Sequence, residues 1–322
     1  MLLPTSFIHL IDLCLIVIVA NLCLLTLAGF LGRRWWFLDL PNHFRAQYFY
    51  VLLLVVVGFL ALGRWWGVAV ALSMALVNFA MILPRFIPLA RAASNGPIYR
   101  LLLSNVLMRN HSYDKVRDLV NRERPDLVIL IEPNQAWLNG LAELRQDYPY
   151  WHTAPRKDAY GVAVFSRQPF DSTEVIHQGY AGQPTVLVRL RMSNHHNQML
   201  NVIATHPSPP KGAAHSAGRN NQLQALAELA RQQTGAVLLC GDLNLSPWSP
   251  YFVDLLREGC LVDSGRGFGL QPTWPANNFL LRTPIDHCLV SPQITVRHRR
   301  LGPQVGSDHL PVILDFSLTG SG

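Results

Sequence analysis

The sequence predicts an α/β protein, a two-sheet α/β sandwich preceded by an N-terminal region of three transmembrane helices. Three observations carry that prediction. Composition changes abruptly near residue 92, with only six basic residues (all Arg) and two acidic ones (Asp12, Asp39) before it, amid long runs of Leu, Val, Ala and Phe. From about residue 100, many short β-rich runs alternate with only a few helices, a pattern of two packed sheets rather than a doubly wound fold. Neither a Gly-x-Gly-x-x-Gly string nor a Walker-type loop occurs.

In the N-terminal part, residues 7–31 form one apolar run of about 25 residues, enough to cross a hydrocarbon core of roughly 30 Å. It is too long for a signal-peptide core and lacks a basic start and a small-residue cleavage site. Residues 47–62 and 67–83 are two more apolar stretches near the minimum spanning length, joined by Gly63-Arg64-Trp65-Trp66, which implies a tight helical hairpin. Trp35-Trp36 and Trp65-Trp66 lie where interfacial aromatic belts are expected. The alternative, a buried helical core, would require a polar stripe, and these runs are apolar on nearly all faces. His9 and Asp12 near the start of the first run either mark the interface or form an intramembrane pair. Arg33, Arg34 and Arg45 occupy the first loop, Arg64 the second, and Arg85, Arg91 and Arg100 follow the third run. The positive-inside rule then puts the first loop and the C-terminal domain on the cytoplasmic side.

The net charge of +7 would invite a nucleic-acid reading, but removing six Arg and two Asp before residue 92 leaves only +3 beyond it. Lysine is confined to Lys115, Lys157 and Lys211. The cluster Arg297-His298-Arg299-Arg300 either faces phosphates or is a solvated strand edge. Among five cysteines no Cys-x-x-Cys spacing occurs; Cys240 and Cys288 sit in strand-like runs, where thiols act as small apolar groups.

Residues 93–322 are expected to form the second domain. Strands are predicted over 101–106, 127–131, 161–166, 185–191, 199–204, 236–240, 285–290 and 312–316, with helices over 113–122 and 220–232. The first strand, the helix and the second strand make a β-α-β start. Chemistry-bearing residues cluster at the ends of these strands: Asn105, Glu132, and the strings Gly241-Asp242-Leu243-Asn244, Pro284-Ile285-Asp286-His287 and Ser307-Asp308-His309. Neighbouring strands lie about 4.8 Å apart, so groups at adjacent ends reach one ion. Glu132 ends a run of five apolar residues, where an unpaired carboxylate is costly, and a hard oxygen-seeking cation such as Mg²⁺ (or Mn²⁺) would account for it. His287 follows Asp286 on a strand and so points to the opposite face.

Asn105, Glu132, the strand Tyr160 to Arg167, Thr205-His206-Pro207, Gly241 to Asn244, Thr273-Trp274-Pro275, Pro284 to His287 and Ser307 to His309 fall in the order seen in the endonuclease/exonuclease/phosphatase superfamily, which the chain resembles over residues 100–318. It resembles in particular bacterial members with three N-terminal spans, which implies an inner-membrane location. The resemblance implies a four-layered, deoxyribonuclease I-like α/β sandwich and metal-dependent hydrolysis of a phosphoester by in-line attack of water. Glu132 is then the main metal ligand, with Asn105 and Asp308 helping to hold the ion or its water. Asp242 and Asn244 position nucleophile and phosphate. His309, paired with Asp286, is general base or phosphate-stabilising group, His206 is a second phosphate contact, and Asp158 orients His206.

Each string alone also reads as a capping or strand-end turn; their joint order favours one site. Trp274 is placed either to stack on substrate or to pack, and His111, His152, His195-His196 and His215 have no metal-ligand partner at a readable spacing. The substrate stays open among a phospholipid, a lipid-linked phosphate and a nucleic acid. Membrane tethering favours the lipids, whereas no apolar insertion loop is legible. A non-catalytic membrane-tethered module keeping the fold is the alternative to an enzyme.

Overall fold

The computed structural model describes residues 4–88, 96–192 and 198–319. Arg91, His195-His196 and the boundary expected at residues 92–93 lie outside them. Helices α1 (Thr5–Ala28), α3 (Arg45–Ala61) and α4 (Trp65–Ile82) form an N-terminal bundle, with the short α2 (Trp36–Asp39) between the first two. The three stretches Thr5–Leu31, Trp36–Ala61 and Trp65–Arg85 are long and apolar enough to cross a membrane. Val19, Leu52, Val55, Phe59, Ala71 and Ala75 pack along the shared face, while large side chains such as Leu54 and Val57 face outward. Asp12 pairs not with His9 but with Arg64 of the α3–α4 turn, at 2.9 Å.

The opposite end of the bundle is docked on the rest of the chain by buried polar contacts. Arg219 Nη2 donates to Asp39 Oδ2 at 3.1 Å, with both side chains 1% exposed, and Ser249 Oγ donates to the same oxygen at 3.0 Å. Arg33 pairs with Asp254, and Arg85 with the buried Asp263. Thr283 Oγ1 and Gln47 Nε2 donate to the backbone carbonyls of His43 and Arg282, each at 2.8 Å. Inside the bundle, Asn42 Nδ2 donates to Asp39 Oδ1 at 3.1 Å, and the fully buried Arg45 reaches Asn42 Oδ1 at 2.7 Å and the Thr26 carbonyl at 2.8 Å. The first interhelical segment and the sandwich therefore sit at the same end of the bundle.

The rest is a two-sheet sandwich built from β1 (Tyr99–Asn105), α5 (Tyr113–Glu123), β2 (Leu127–Ile131), α6 (Gln135–Gly140), α7 (Leu144–Asp147), β3 (Tyr150–Ala154), β4 (Val162–Ser166), β5 (Phe170–Gln178), β6 (Gln183–Met192), β7 (Gln198–Thr205), α8 (Ala213–Gln232), β8 (Ala236–Asp242), α9 (Pro250–Glu258), β9 (Val262–Asp263), β10 (Asp286–Val290), β11 (Ile294–Leu301) and β12 (Val312–Leu318). The sheet orders are β11-β12-β1-β2-β4-β3 and β5-β6-β7-β8-β10-β9. Alternate side chains explain why the central strands are apolar throughout. Leu101, Ile129, Val164, Val188, Val202 and Leu238 face the core between the sheets. Their neighbours Leu102, Val128 and Leu130 meet α5 and α6, and Leu187, Ile203 and Leu239 meet α8 and α9, giving the four layers.

Four strands escaped the sequence reading. β5, with Asp171, Glu174 and His177, is an exposed edge strand; β11 carries Arg297, Arg299 and Arg300; β3 and the two-residue β9 are edge strands. Helix α8 starts at Ala213 rather than residue 220, which puts His215 on the helix against the Tyr180 ring instead of in a loop. The basic cluster on β11 does not present itself to phosphates as a unit. Arg299 is buried and donates to the Asp286 carbonyl at 3.2 Å, Arg300 pairs with Glu123, and Arg297 bonds Ser317.

Breaking one partner of a buried ion pair leaves the other charge uncompensated, at about 3–5 kcal/mol. Asp39→Ala should therefore lower the thermal midpoint of the detergent-solubilised chain clearly, and adding Arg219→Leu should restore part of it. An unchanged midpoint for Asp39→Ala would show that the docking pair contributes nothing.

Candidate active site

The sheet pairing brings the chemistry-bearing residues to one edge. β1 and β2 run parallel with Asn105 opposite Ile131, so Glu132 emerges just beyond Asn105. β7 and β8 run parallel with Thr205 opposite Gly241, and β8 and β10 run antiparallel with Asp242 opposite Asp286. A Cβ at Gly241 would lie 1.8 Å from the Thr205 carbonyl oxygen, so only glycine permits this close approach of the strands. Glu132 (φ 66°) and Asn244 (φ 52°) both take the left-handed conformation, at a cost of about 1–3 kcal/mol each where it is strained, which re-aims their side chains as the strands end.

Asn105 is the hub. Its amide nitrogen lies 3.1 Å from Glu132 Oε1, 3.1 Å from Asp242 Oδ2 and 3.4 Å from His309 Nε2, while its oxygen accepts from Leu107 N at 3.0 Å. One buried side chain from the first sheet thus bridges to the second. His309 Nδ1 lies 2.8 Å from Asp286 Oδ2, and its Nε2 3.6 Å from Asp242 Oδ2. His206 Nδ1 lies 3.0 Å from the Asp242 carbonyl, and its Nε2 3.5 Å from Glu132 Oε1. Asn244 N donates to Asp242 Oδ1 at 3.0 Å, and Trp274 Nε1 donates to Asp308 Oδ2 at 3.1 Å. Glu132, His206, Asp242, Asn244, Asp308 and His309 all line one cavity of about 530 Å³. Asn105 and Asp286 stand behind them.

Electrostatics follow from burial and proximity. Burial raises the Asp242 carboxyl, and repulsion from Asp286 raises it further, to about 6. Burial works against charge on Glu132, but a hydrogen bond from His206 and the charge of that ring outweigh it and hold the carboxyl down to about 2. Burial would discharge His309; Asp286 and Asp242 outweigh it and lift the ring to about 10. His206 is raised in the same way, by Glu132 and Asp242 against burial.

One sequence expectation changes. Asp158 does not orient His206: it accepts from Arg156 Nε at 2.7 Å, while His206 is held by the Asp242 carbonyl. His287 faces away, as expected, and binds the Leu245 carbonyl at 2.9 Å against the Phe252 ring. The sequence reading missed Leu40, His43 and Phe44, which line the same cavity from the segment between α1 and α3. It also missed Arg219, whose Nη1 donates to the Asn244 carbonyl at 3.1 Å. No local string marks either, because both depend on contacts between distant parts of the chain.

The donor set fits a hard divalent cation. Four carboxylates face two imidazoles, leaving excess negative charge, and the buried Oδ1 atoms of Asp286 and Asp308 have no hydrogen-bond partner. Asp242, Asp286 and His309 bring one ligand atom each within 4.8 Å of one another. In that group, however, the Asp286–His309 contact is already a hydrogen bond, so the ring nitrogen and one carboxylate oxygen are engaged with each other.

The sequence model of the endonuclease/exonuclease/phosphatase family matches residues 102–309, and the chain belongs to that family. Its fold is similar to D. rerio TDP2 solved in complex with a single-strand DNA product (TM-score 0.57, 17% identity, covering 68% of this chain and 99% of that one). It is also similar to the human Nocturnin catalytic domain with bound sulfate (0.57, 18%, 69% and 94%) and to sphingomyelinase C from Streptomyces griseocarneus (0.51, 17%, 68% and 99%). A UPF0294 protein of Vibrio parahaemolyticus is 26% identical over 98 residues, covering 30% of this chain. The match spans 34% of that curated relative's length.

The charge state of His309 is directly measurable. In protein labelled with ¹⁵N-histidine, its ring should titrate near 10, and in Asp286→Asn it should fall back toward 6.5. Because the folded value is the raised one, the stabilisation from this pair is present below pH 6.5 and is lost as pH rises through 10. A native ring titrating near 6.5 would contradict the arrangement.

Proposed function

We propose that the protein is a membrane-anchored, divalent-metal-dependent phosphoesterase that cleaves a phosphodiester or phosphomonoester by attack of water. In this reading α1, α3 and α4 cross the membrane, residues 93–322 form the catalytic part, and that part lies on the cytoplasmic side favoured by the arginine distribution. The observation that carries the proposal is the single cavity edge where Glu132, Asp242, Asn244, His206, Asp308 and His309 converge, with Asp286 and Asn105 fixing them.

Glu132 is the principal ligand of Mg²⁺ or Mn²⁺, with Asp308 beside it in the protein's share; Asn105, expected from the sequence to be a ligand, instead holds Glu132 through its amide nitrogen, because its oxygen is taken by Leu107 N. Glu132 suits this because it remains ionised at every relevant pH. When bound, the cation neutralises charge on the phosphoryl oxygens. Asp242, raised to about 6, is ionised near neutral pH yet basic enough to accept a proton from the attacking water. Asn244 is held by its backbone bond to Asp242 and by its side-chain amide, which donates to the Pro207 carbonyl at 2.9 Å, leaving its second N–H and its oxygen to orient that water and the scissile phosphate. His309, lifted to about 10, is a cation near neutral pH, which favours the phosphate-stabilising role over that of general base. Asp286 holds its ring and sustains its charge, and His206 places a second imidazole at the same cavity. The family includes proteins acting on different phosphoesters, and the fold alone does not choose among them.

The full chain in detergent should hydrolyse bis(p-nitrophenyl) phosphate with Mg²⁺ or Mn²⁺ and stop on addition of EDTA. Asp242→Asn and His309→Ala should each lower kcat by about 10²- to 10⁴-fold with the fold intact. Activity that survives EDTA, or either variant retaining full rate, would refute the assignment.

A further inference from the structure

We infer that the phosphoester is carried on a membrane lipid, because part of the lining of the cavity that holds the carboxylates is supplied by the segment that links two of the long apolar helices. This inference rests on the phosphoesterase reading above and names its substrate class. Leu40, His43 and Phe44 line the same cavity as Glu132, Asp242 and His309, and the next residue begins α3. The mouth of the site is thus fixed at the end of the helix bundle. This part of the lining is firmly set there, since the His43 and Asn42 carbonyls accept from Thr283 Oγ1 and Ser246 Oγ, and Asp39 is held by Arg219 and Ser249.

Beside this mouth stands an apolar projection that sequence reading did not pick out as an insertion loop. Phe279, Leu280 and Leu281 are 77%, 75% and 53% exposed, in a turn whose backbone is tied by Asn278 Oδ1, which accepts from the amides of Leu280 and Leu281 at 3.2 Å. The turn is anchored to the bundle end, because the carbonyl of the adjacent Arg282 accepts from Gln47 Nε2 of α3. Trp35, Phe37, Phe86 and Ile87, at the same ends of the apolar stretches, are each about half exposed. Three consecutive large apolar side chains held out beside membrane-spanning segments fit a position in the headgroup and acyl boundary. Thr283, two residues beyond Leu281, and Trp274, bridged to it, both line the cavity, so this turn is continuous with the cavity lining.

The features expected of a nucleic-acid groove are sparse at this mouth. Among the described residues lining the cavity the one Lys or Arg is Lys211, since Arg45 is turned into the bundle toward Thr26 and Asn42. A strand-tracking site needs a succession of cations along the backbone path.

The test uses the full chain reconstituted with Mn²⁺, offered vesicles containing phosphatidic acid, phosphatidylglycerol, phosphatidylethanolamine or sphingomyelin. Comparison arms are the dibutanoyl analogue of each glycerophospholipid, a single-stranded oligonucleotide, and bis(p-nitrophenyl) phosphate. At least one vesicle lipid should be cleaved about tenfold or more faster than its short-chain analogue and faster than the oligonucleotide. Phe279→Asp with Leu280→Asp, at exposed positions outside the cavity lining, should cut the vesicle rate about tenfold and leave bis(p-nitrophenyl) phosphate turnover within about twofold. If all four lipids are inert, or the oligonucleotide is preferred, while bis(p-nitrophenyl) phosphate is turned over, the lipid inference is overturned and the phosphoesterase reading stands. Equal loss on vesicle and soluble substrates in the double variant would likewise overturn it. Failure to cleave bis(p-nitrophenyl) phosphate would instead remove the reading on which it rests.

Discussion

Glu132, Asp242 and Asp286 are gathered at one largely buried edge, and their mutual repulsion is the constraint that orders this part of the molecule. Burying several carboxylates side by side is unfavourable unless each finds a donor or a cation. The fold answers with one neutral hub and two imidazoles. Asn105 gives its amide protons to Glu132 and Asp242, His309 takes Asp286, and His206 lies between Glu132 and Asp242. Because the three donors are themselves fixed by strand ends in both sheets, loosening either sheet would misplace them. The residual negative charge, with unpartnered oxygens on Asp286 and Asp308, is what makes a divalent cation the natural completion of the site.

A second buried chain of polar contacts connects that edge to the helix bundle. It runs from the Asn244 carbonyl through Arg219 to Asp39, then through Asn42 to Arg45, and from Arg45 to Thr26 and Asn78. Buried networks of this kind rigidify only when each member is satisfied, and nearly every link here is 3.1 Å or shorter apart from Arg45 to Asn78 at 3.3 Å. The N-terminal region therefore lines part of the cavity and supports the backbone of Asn244 from behind.

Much of this was legible in the sequence, for physical reasons. Apolar runs that end in or just before a carboxylate or amide, as at Asn105, Glu132 and Asp242, mark strand ends where burial and charge meet, whereas the pairing of Asp286 with His309 was implied only by the family resemblance. Alternation also fixed His287 on the far face. What stayed hidden depends on contacts over long sequence separations. Arg219 reads as one cation on a polar helix until Asp39 is folded against it, and Arg299 reads as part of a basic run until it turns in beneath Asp286. Asp158 stands near the site in sequence order, yet the closer guanidinium of Arg156 captures it. The turn at residues 278–281 is too short to register as an apolar segment, and only its exposure reveals it.

In the proposed site Glu132 anchors a divalent cation while Asp286 and His309 form a separate hydrogen-bonded pair beside it. Anomalous diffraction from crystals soaked in Mn²⁺ tests this most directly. A peak is expected in contact with the Glu132 carboxylate and within reach of Asp308, with the Asp286–His309 bond intact. A peak ligated by Asp242, Asp286 and His309 with Glu132 free, or no peak at all, would contradict it.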